Sequence, residues 1–273
     1  MVQKVKIELG KIQETLLLPL WGRAVESQKE EPKMVDKIAI EIINKIDYDF
    51  TAITKNINWL SQLSWVARSL QMDKIIIEFV KNNPKATIVN IGCGFDTTFE
   101  RIDNGQILFY DLDLPDVINL RKKFFQENER KKNISCSFLE DKWLSRLNGK
   151  DGILFIAAGV FYFFDKKQIK DFFIKIADRF PGSEICFDSS SSLGMKLANM
   201  MILKKSGVDE TAFLKWGIKS ATSIEKWDNR IHLVSEFPMF EAMKKEFPLK
   251  KKYGLWLSDL LKIMSIVHLR MGK

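Results

Sequence analysis

The segment Val89-Asn90-Ile91-Gly92-Cys93-Gly94-Phe95-Asp96-Thr97-Thr98-Phe99-Glu100 holds the residue types best suited to chemistry in this chain. An apolar run enters a turn with glycines at 92 and 94, where the backbone can fold back tightly and approach a ligand with no Cβ in the way. Thr97 and Glu100 have the spacing of a capping box, which predicts a helix starting just after the turn. A Gly-x-Gly turn alone says little. Some 20 residues on, however, Asp111 and Asp113 end the run Ile107-Leu108-Phe109-Tyr110, two residues apart and therefore on one side of an extended strand. An acid at that distance suits a pair of ribose hydroxyls. Both nicotinamide dinucleotides and S-adenosylmethionine carry such a ribose. Position 97 is Thr where a dinucleotide turn needs its third glycine, and Asp96 puts a carboxylate at the helix start, where it would repel a pyrophosphate. The same carboxylate is compatible with an ammonium and a sulfonium, so the expected cofactor is S-adenosylmethionine, with no metal.

A loop of this kind needs a sheet to carry it. From residue 87 the apolar runs 87–91, 107–112, 134–138, 153–157 and 184–188 alternate with helix-like stretches at 115–129, 141–147 and 166–180. Strand alternating with helix implies a parallel sheet covered on both faces. The expected fold class is therefore α/β, a doubly wound Rossmann-like core over 84–188. Before it, apolar residues at helical spacing over 35–46 and 59–80 predict an N-terminal helical cap over 1–83, closed by Pro84. After it, Ser189 to Ser192 read as a loop leaving the fifth strand. They lead into a helical, methionine-rich lid or substrate insertion over 189–230. Residues 231–273 would complete the sheet through candidate strands at 249–253 and 263–270, with His232 opening an amphipathic helix.

Four runs in this chain resemble a known family: Thr15-Leu16-Leu17-Leu18-Pro19-Leu20-Trp21-Gly22-Arg23-Ala24, Ile46-Asp47-Tyr48-Asp49-Phe50, the glycine segment Val89 through Thr97, and Tyr110-Asp111-Leu112-Asp113-Leu114-Pro115-Asp116-Val117. They are similar to the tetracenomycin-type polyketide O-methyltransferases, relatives of leucine carboxyl methyltransferase, over residues 15–165. The resemblance implies a class I methyltransferase that converts S-adenosylmethionine to S-adenosylhomocysteine. It also implies that Arg68 pairs with the carboxylate of the cofactor's methionine part, for which a guanidinium has matching geometry. Gly92, Cys93 and Gly94 would form the backbone cradle. Asp113, beside Leu112 and Asp111, would take the ribose. Ser137 and Phe138 fall on the adenine side, where the leucine-type enzymes carry Asp-Leu. Ala157 and Ala158 fall after the fourth strand, and Ala158 stands where the family commonly has a glutamate.

Methyl transfer from a sulfonium is an in-line displacement, so holding an acceptor oxygen close behind the methyl carbon is the main task. A carboxylate is already ionised at neutral pH, whereas a phenol would benefit from a base. The chain has two histidines, His232 and His268, and neither falls in a strand-end loop of the cofactor half. A carboxylate acceptor on a small, polyketide-like molecule is therefore expected, with a hydroxyl as the alternative. Two other readings stay open: a protein C-terminal carboxyl methyltransferase, and a catalytically weak cofactor-binding scaffold. Arg23 and Tyr162 are positioning candidates for the acceptor, and Trp21, Met195, Met200, Met201 and Trp216 are candidate pocket walls.

Composition narrows the classes further. With 46% hydrophobic and 29% charged residues the chain can bury a full core. The net charge of +8 is spread through interspersed acids, and the lysine clusters such as Lys250-Lys251-Lys252 read as solvated element ends, so nucleic acid is not an expected partner; no run of about 18 apolar residues offers a membrane span, so no membrane partner is expected either. Cys93, Cys136 and Cys186 form no Cys-x-x-Cys pair, which fits buried thiols and a cytoplasmic setting. Oligomeric state is not legible.

Overall fold

The computed structural model describes residues 4–7, 16–55, 57–200 and 214–272. Seven strands, β1 (Thr87–Ile91), β2 (Leu108–Asp113), β3 (Lys131–Ser135), β4 (Ile153–Ala157), β5 (Glu184–Ser190), β6 (Ile231–Pro238) and β7 (Met264–Met271), form one sheet in the order β3-β2-β1-β4-β5-β7-β6. The first five run parallel, and β7 is antiparallel to both neighbours. Every residue of β1 and β4 is buried, because helices cover both faces of the sheet centre.

The helices are α1 (Leu17–Ser27), α2 (Lys37–Lys45), α3 (Phe50–Thr54), α4 (Trp59–Asn82), α5 (Thr98–Ile102), α6 (Pro115–Arg121), α7 (Lys166–Arg179), α8 (Ser192–Ala198), α9 (Thr222–Glu225) and α10 (Leu249–Leu260). On one face α7 presents Ile169, Phe172, Phe173 and Ile176, spaced i, i+3, i+4, i+7, to Phe155, Ile185 and Phe187 of the sheet. Each such side chain contributes about 1.5–3 kcal/mol on burial. On the other face α4 packs Ala67, Met72, Ile76 and Phe79 against a layer holding Ile88, Phe109, Leu154 and Ile156. A third cluster joins α1 and α2 to Phe95, Leu120 and Phe125, so the N-terminal helices rest on the glycine turn itself.

Several elements differ from the pattern expected of the sequence. β3 starts at Lys131 and ends at Ser135, earlier than 134–138. It is an edge strand and tolerates Lys131, Lys132 and Asn133, which hide its apolar signal. α6 stops at Arg121, where the amides of Phe124 and Phe125 both close on the Arg121 carbonyl and turn the chain toward β3. Only the 3-10 turn Leu144–Arg146 forms within 141–147. Residues 249–253 begin a helix and not a strand, and His232 lies in strand β6, where a register shift between Leu233 and Ser235 interrupts the alternation. Ser189 and Ser190 still belong to β5, and Ser191 caps α8 by accepting the Gly194 N–H. The region 1–83 also contributes a two-residue parallel ladder between Val5–Lys6 and Ile46–Asp47.

Candidate active site

The strand order reverses between β1 and β4, and at such a switch the loops leaving the carboxyl ends diverge to open a crevice. The loop after β1 and the loop after β4 meet there. Gly92 has φ +61°, and a Cβ at that position would fall 2.6 Å from Val160, so the turn and its close packing both require glycine. The N–H groups of Gly92 and Cys93 donate to the Leu112 carbonyl, at 2.7 and 3.2 Å. One residue further along β2's end, the Asp113 carboxylate accepts the N–H of Gly94 at 2.8 Å and of Leu114 at 2.7 Å. Burial raises the Asp113 pKa from its ordinary value, and the two N–H donors oppose that rise. Cys93 is buried with its thiol pushed well up by desolvation, so it acts as a wall.

Across the crevice, α4 delivers Arg68 to a buried cluster. Its Nη1 donates to Asp188 Oδ2 at 3.0 Å and to the Tyr162 hydroxyl at 3.2 Å. Tyr162 in turn donates to Asp188 Oδ2 at 3.0 Å, and the Gly159 N–H donates to Asp188 Oδ1 at 2.7 Å. Gly159 (φ +80°) lets this happen, because a Cβ there would lie 2.7 Å from Arg68 Nη1. Burial works against the Arg68 charge, but the adjacent Asp188 outweighs it and raises the pKa, so the guanidinium is a permanent cation. Burial, then Asp188, push the Tyr162 phenol upward, which keeps it protonated. Asp188, 120 residues from Arg68, is the residue the sequence reading missed. Its only signal was an acid closing a strand at the edge where ligands bind.

Beneath the glycine turn lies a second network. Asp96 accepts the Thr97 N–H at 2.8 Å and Asn90 Nδ2 at 3.0 Å, while Asn90 also donates to Asp111 at 3.2 Å. Burial alone would raise the Asp96 pKa, but Arg101 and Arg23 overcome it and hold the carboxyl at about 2. Arg101 grips Asp73 through two bonds of 2.7 and 2.9 Å and reaches Thr97 Oγ1 at 2.6 Å. Arg121 donates to the carbonyls of Gly94 and Asp96, both at 2.8 Å, and to Asp111 at 2.7 Å. Arginines 101 and 121 were likewise unforeseen; they hold the loop from below.

These contacts reassign several expected roles. Asp111 is fully buried on Arg121 and Asn90 and so braces the loop. Arg23 is committed to Asp36 (2.9 Å) and the Phe95 carbonyl (2.9 Å), which leaves it no reach toward an acceptor carboxylate. Thr97 caps nothing with its side chain: its hydroxyl donates to Asp36, so the capping box is not formed. The Phe138 ring is edge-on to Phe164 and Phe172 within the core, while Ser137 is half-buried and donates its N–H to Glu140. Ala157 is buried and Ala158 half-buried at the end of β4. Among the pocket candidates, Trp216 is core, stacked on Phe187; Trp21 and Met195 are half-buried and Met200 is exposed. Met201 lies outside the described residues. His268 pairs with Glu184 at 2.7 Å, at the opposite end of β5 from Asp188.

A glycine turn on β1, an acid ending β2 and a buried cation across the switch point define a class, the Rossmann-like methyltransferases. The fold is shared with a DUF574 family protein from Streptomyces avermitilis (TM-score 0.58, 10% identity, 94% of this chain and 96% of that one). It is shared also with the N-methyltransferase NodS from Bradyrhizobium japonicum, solved with S-adenosyl-L-homocysteine (TM-score 0.50, 10% identity, 97% and 100%). Within that class, the leucine carboxyl methyltransferase profile matches residues 17–177, and the chain belongs to this family of S-adenosylmethionine-dependent methyltransferases. Among curated relatives, the tetracenomycin polyketide synthesis O-methyltransferase TcmP of Streptomyces glaucescens is 27% identical over 238 residues, 86% of each chain. The S-adenosyl-L-methionine-dependent methyltransferase dpfgK of Gibberella zeae is 27% identical over 222 residues, 74% of each.

Proposed function

We propose that this protein is an O-methyltransferase that esterifies a carboxylate on a small, polyketide-like acceptor. The donor set fits S-adenosylmethionine: a permanent cation at Arg68 for the methionine carboxylate, an anion at Asp96 for its ammonium, and Asp113 for the ribose hydroxyls. Leu114, which follows Asp113 and is 43% exposed, offers the apolar surface for adenine that Phe138 does not. The bound sulfonium supplies an electrophilic methyl group; the chain's own residues orient it and exclude water.

The observation that carries the carboxylate reading is that the titratable groups described around the crevice are already engaged, Asp113 among them through the N–H groups of Gly94 and Leu114. Tyr162 is locked as a phenol, Asp96 with a pKa of about 2 is too weak a base, and Asp188 is occupied by three donors. His268 in β7 sits on Glu184, and His232 lies at the start of the edge strand β6, so neither is on β1, β4 or their loops. An acceptor that arrives ionised needs no base. The TcmP relative, named for polyketide synthesis, supports the acceptor class.

The test is methyl-labelled S-adenosylmethionine with matched pairs of aromatic carboxylic acids and phenols. The expected product is an alkali-labile ester from the acids. Alkali-stable ether from the phenols alone would contradict the reading.

A further inference from the structure

Helix α10 turns to solvent a face that helices of globular proteins ordinarily keep polar. Its buried residues, Leu255, Ser258 and Asp259, face the body of the protein. Leu249, Tyr253, Trp256, Leu257 and Leu260 recur at i, i+4, i+7, i+8 and i+11, which places them on one stripe, with exposures from 38% at Leu257 to 84% at Leu249. On that stripe the Tyr253 and Trp256 rings stack, with centroids 6.1 Å apart. At 100° per residue, Lys250 and Lys252 fall on opposite sides of it. Lys244 finds a partner in Asp259 at 2.7 Å, whereas among the described residues Lys245, Lys250, Lys251 and Lys252 have no carboxylate at ion-pair distance. Lys251 instead lies 5.4 Å from the Trp59 ring.

An apolar, aromatic stripe edged by cations is the composition of a helix that lies in the headgroup plane of a bilayer. We propose that α10 docks the protein onto an anionic lipid surface, with the stripe inserted to headgroup depth and the unpaired lysines over the anionic headgroups. Charge argues against a second copy as occupant, because this helix would offer the partner's lysines no unpaired carboxylate in return, its one acid, Asp259, being buried on Lys244. The net charge of +8 adds attraction at a distance. At 12 residues, about 18 Å, α10 can lie along a surface but cannot cross one. The proposal is independent of the methyl-transfer reading.

It is tested by co-sedimenting the full chain with vesicles of phosphatidylcholine alone and of phosphatidylcholine mixed with phosphatidylserine, at low and high salt. The wild type is expected to partition at least about tenfold more onto the anionic vesicles, less so in high salt. The Lys250→Gln/Lys252→Gln variant should lose roughly thirtyfold in partitioning, and Trp256→Ser/Leu260→Ser should also lose binding. Equal partitioning onto both vesicle types, or none, overturns the proposal, as do folded variants that bind like the wild type. A wild-type dimer on gel filtration that Trp256→Ser disperses would assign the face to a second copy and overturn it as well. Should a variant lose its circular dichroism, the wild-type vesicle comparison decides alone.

Discussion

Arg68 joins three parts of the chain that share no sequence neighbourhood: its own helix, the turn at Gly159 and the end of β5 at Asp188. Replacing it with Ala removes the charge-assisted bond assigned to the cofactor carboxylate, and S-adenosylhomocysteine affinity measured by calorimetry should fall roughly 10- to 100-fold. Tyr162→Phe makes the opposite case. It removes one of three donors to Asp188, so chemical denaturation should report a loss of about 1 kcal/mol, while methyl transfer persists because the phenol is not a base. Abolished transfer in a folded Tyr162→Phe variant would contradict that role. At this scale the positions of Gly92 and Asp113 at the ends of β1 and β2 follow from local motifs, whereas Arg68 is singled out by the family resemblance alone. Asp188 and Arg101 were not legible, because what gives them meaning is a partner brought near only by folding. Arg23 and Asp111 stood in the right motifs, yet their charges are spent inside the protein.

The glycine turn is the element whose shape the site depends on, and it is held by ion pairs as well as by apolar packing. Asp36 caps α2 through the Ala39 N–H (2.9 Å) and also binds Arg23 and Thr97, so it couples the N-terminal helices to the turn. Asp36→Ala leaves Arg23 buried without its carboxylate and should cost about 3–5 kcal/mol in urea unfolding. Asp96 supplies a pH signature. Its folded pKa of about 2 lies below the ordinary 3.8, so its contribution is complete above about pH 4 and disappears as pH falls through 2. That share is about 2 kcal/mol for a side chain 17% exposed, and an Asp96→Asn variant should lack it when stability is followed from pH 5 to 2. Elements were legible where burial made them uniform. β1 and β4, buried throughout, are where the apolar runs placed them. β3 starts earlier than its apolar run because an edge strand carries lysines, and β6 reads as a helix in the sequence because its bulge breaks the alternation. Residues 249–253 read as a strand where α10 begins, because the stripe facing solvent is apolar and confuses the period.

Over the whole molecule, the three-layer architecture is legible because strand and helix periods largely alternate from residue 87 to 188, the 3-10 turn at Leu144–Arg146 aside. The strand order and the antiparallel β7 rest on long-range pairing, which no local period reports. The crevice at the β1/β4 switch gathers α4 through Arg68, the turn after β1 and the end of β5 at Asp188, so a ligand that fills it should stabilise the entire fold. At a hundredfold excess over its dissociation constant, S-adenosylhomocysteine should add about 2.7 kcal/mol and raise the melting temperature by roughly 5–10 °C in calorimetric scans. The most direct test of the account is titration of S-adenosylmethionine into the wild-type protein and into Asp113→Ala and Arg68→Ala variants whose folding has been verified. The wild type is expected to bind at micromolar concentration, about −8 kcal/mol, and both variants more weakly. A folded wild type that takes up no S-adenosylmethionine, or variants that bind it as tightly as the wild type, would contradict the assignment of this crevice as the methyl-donor site.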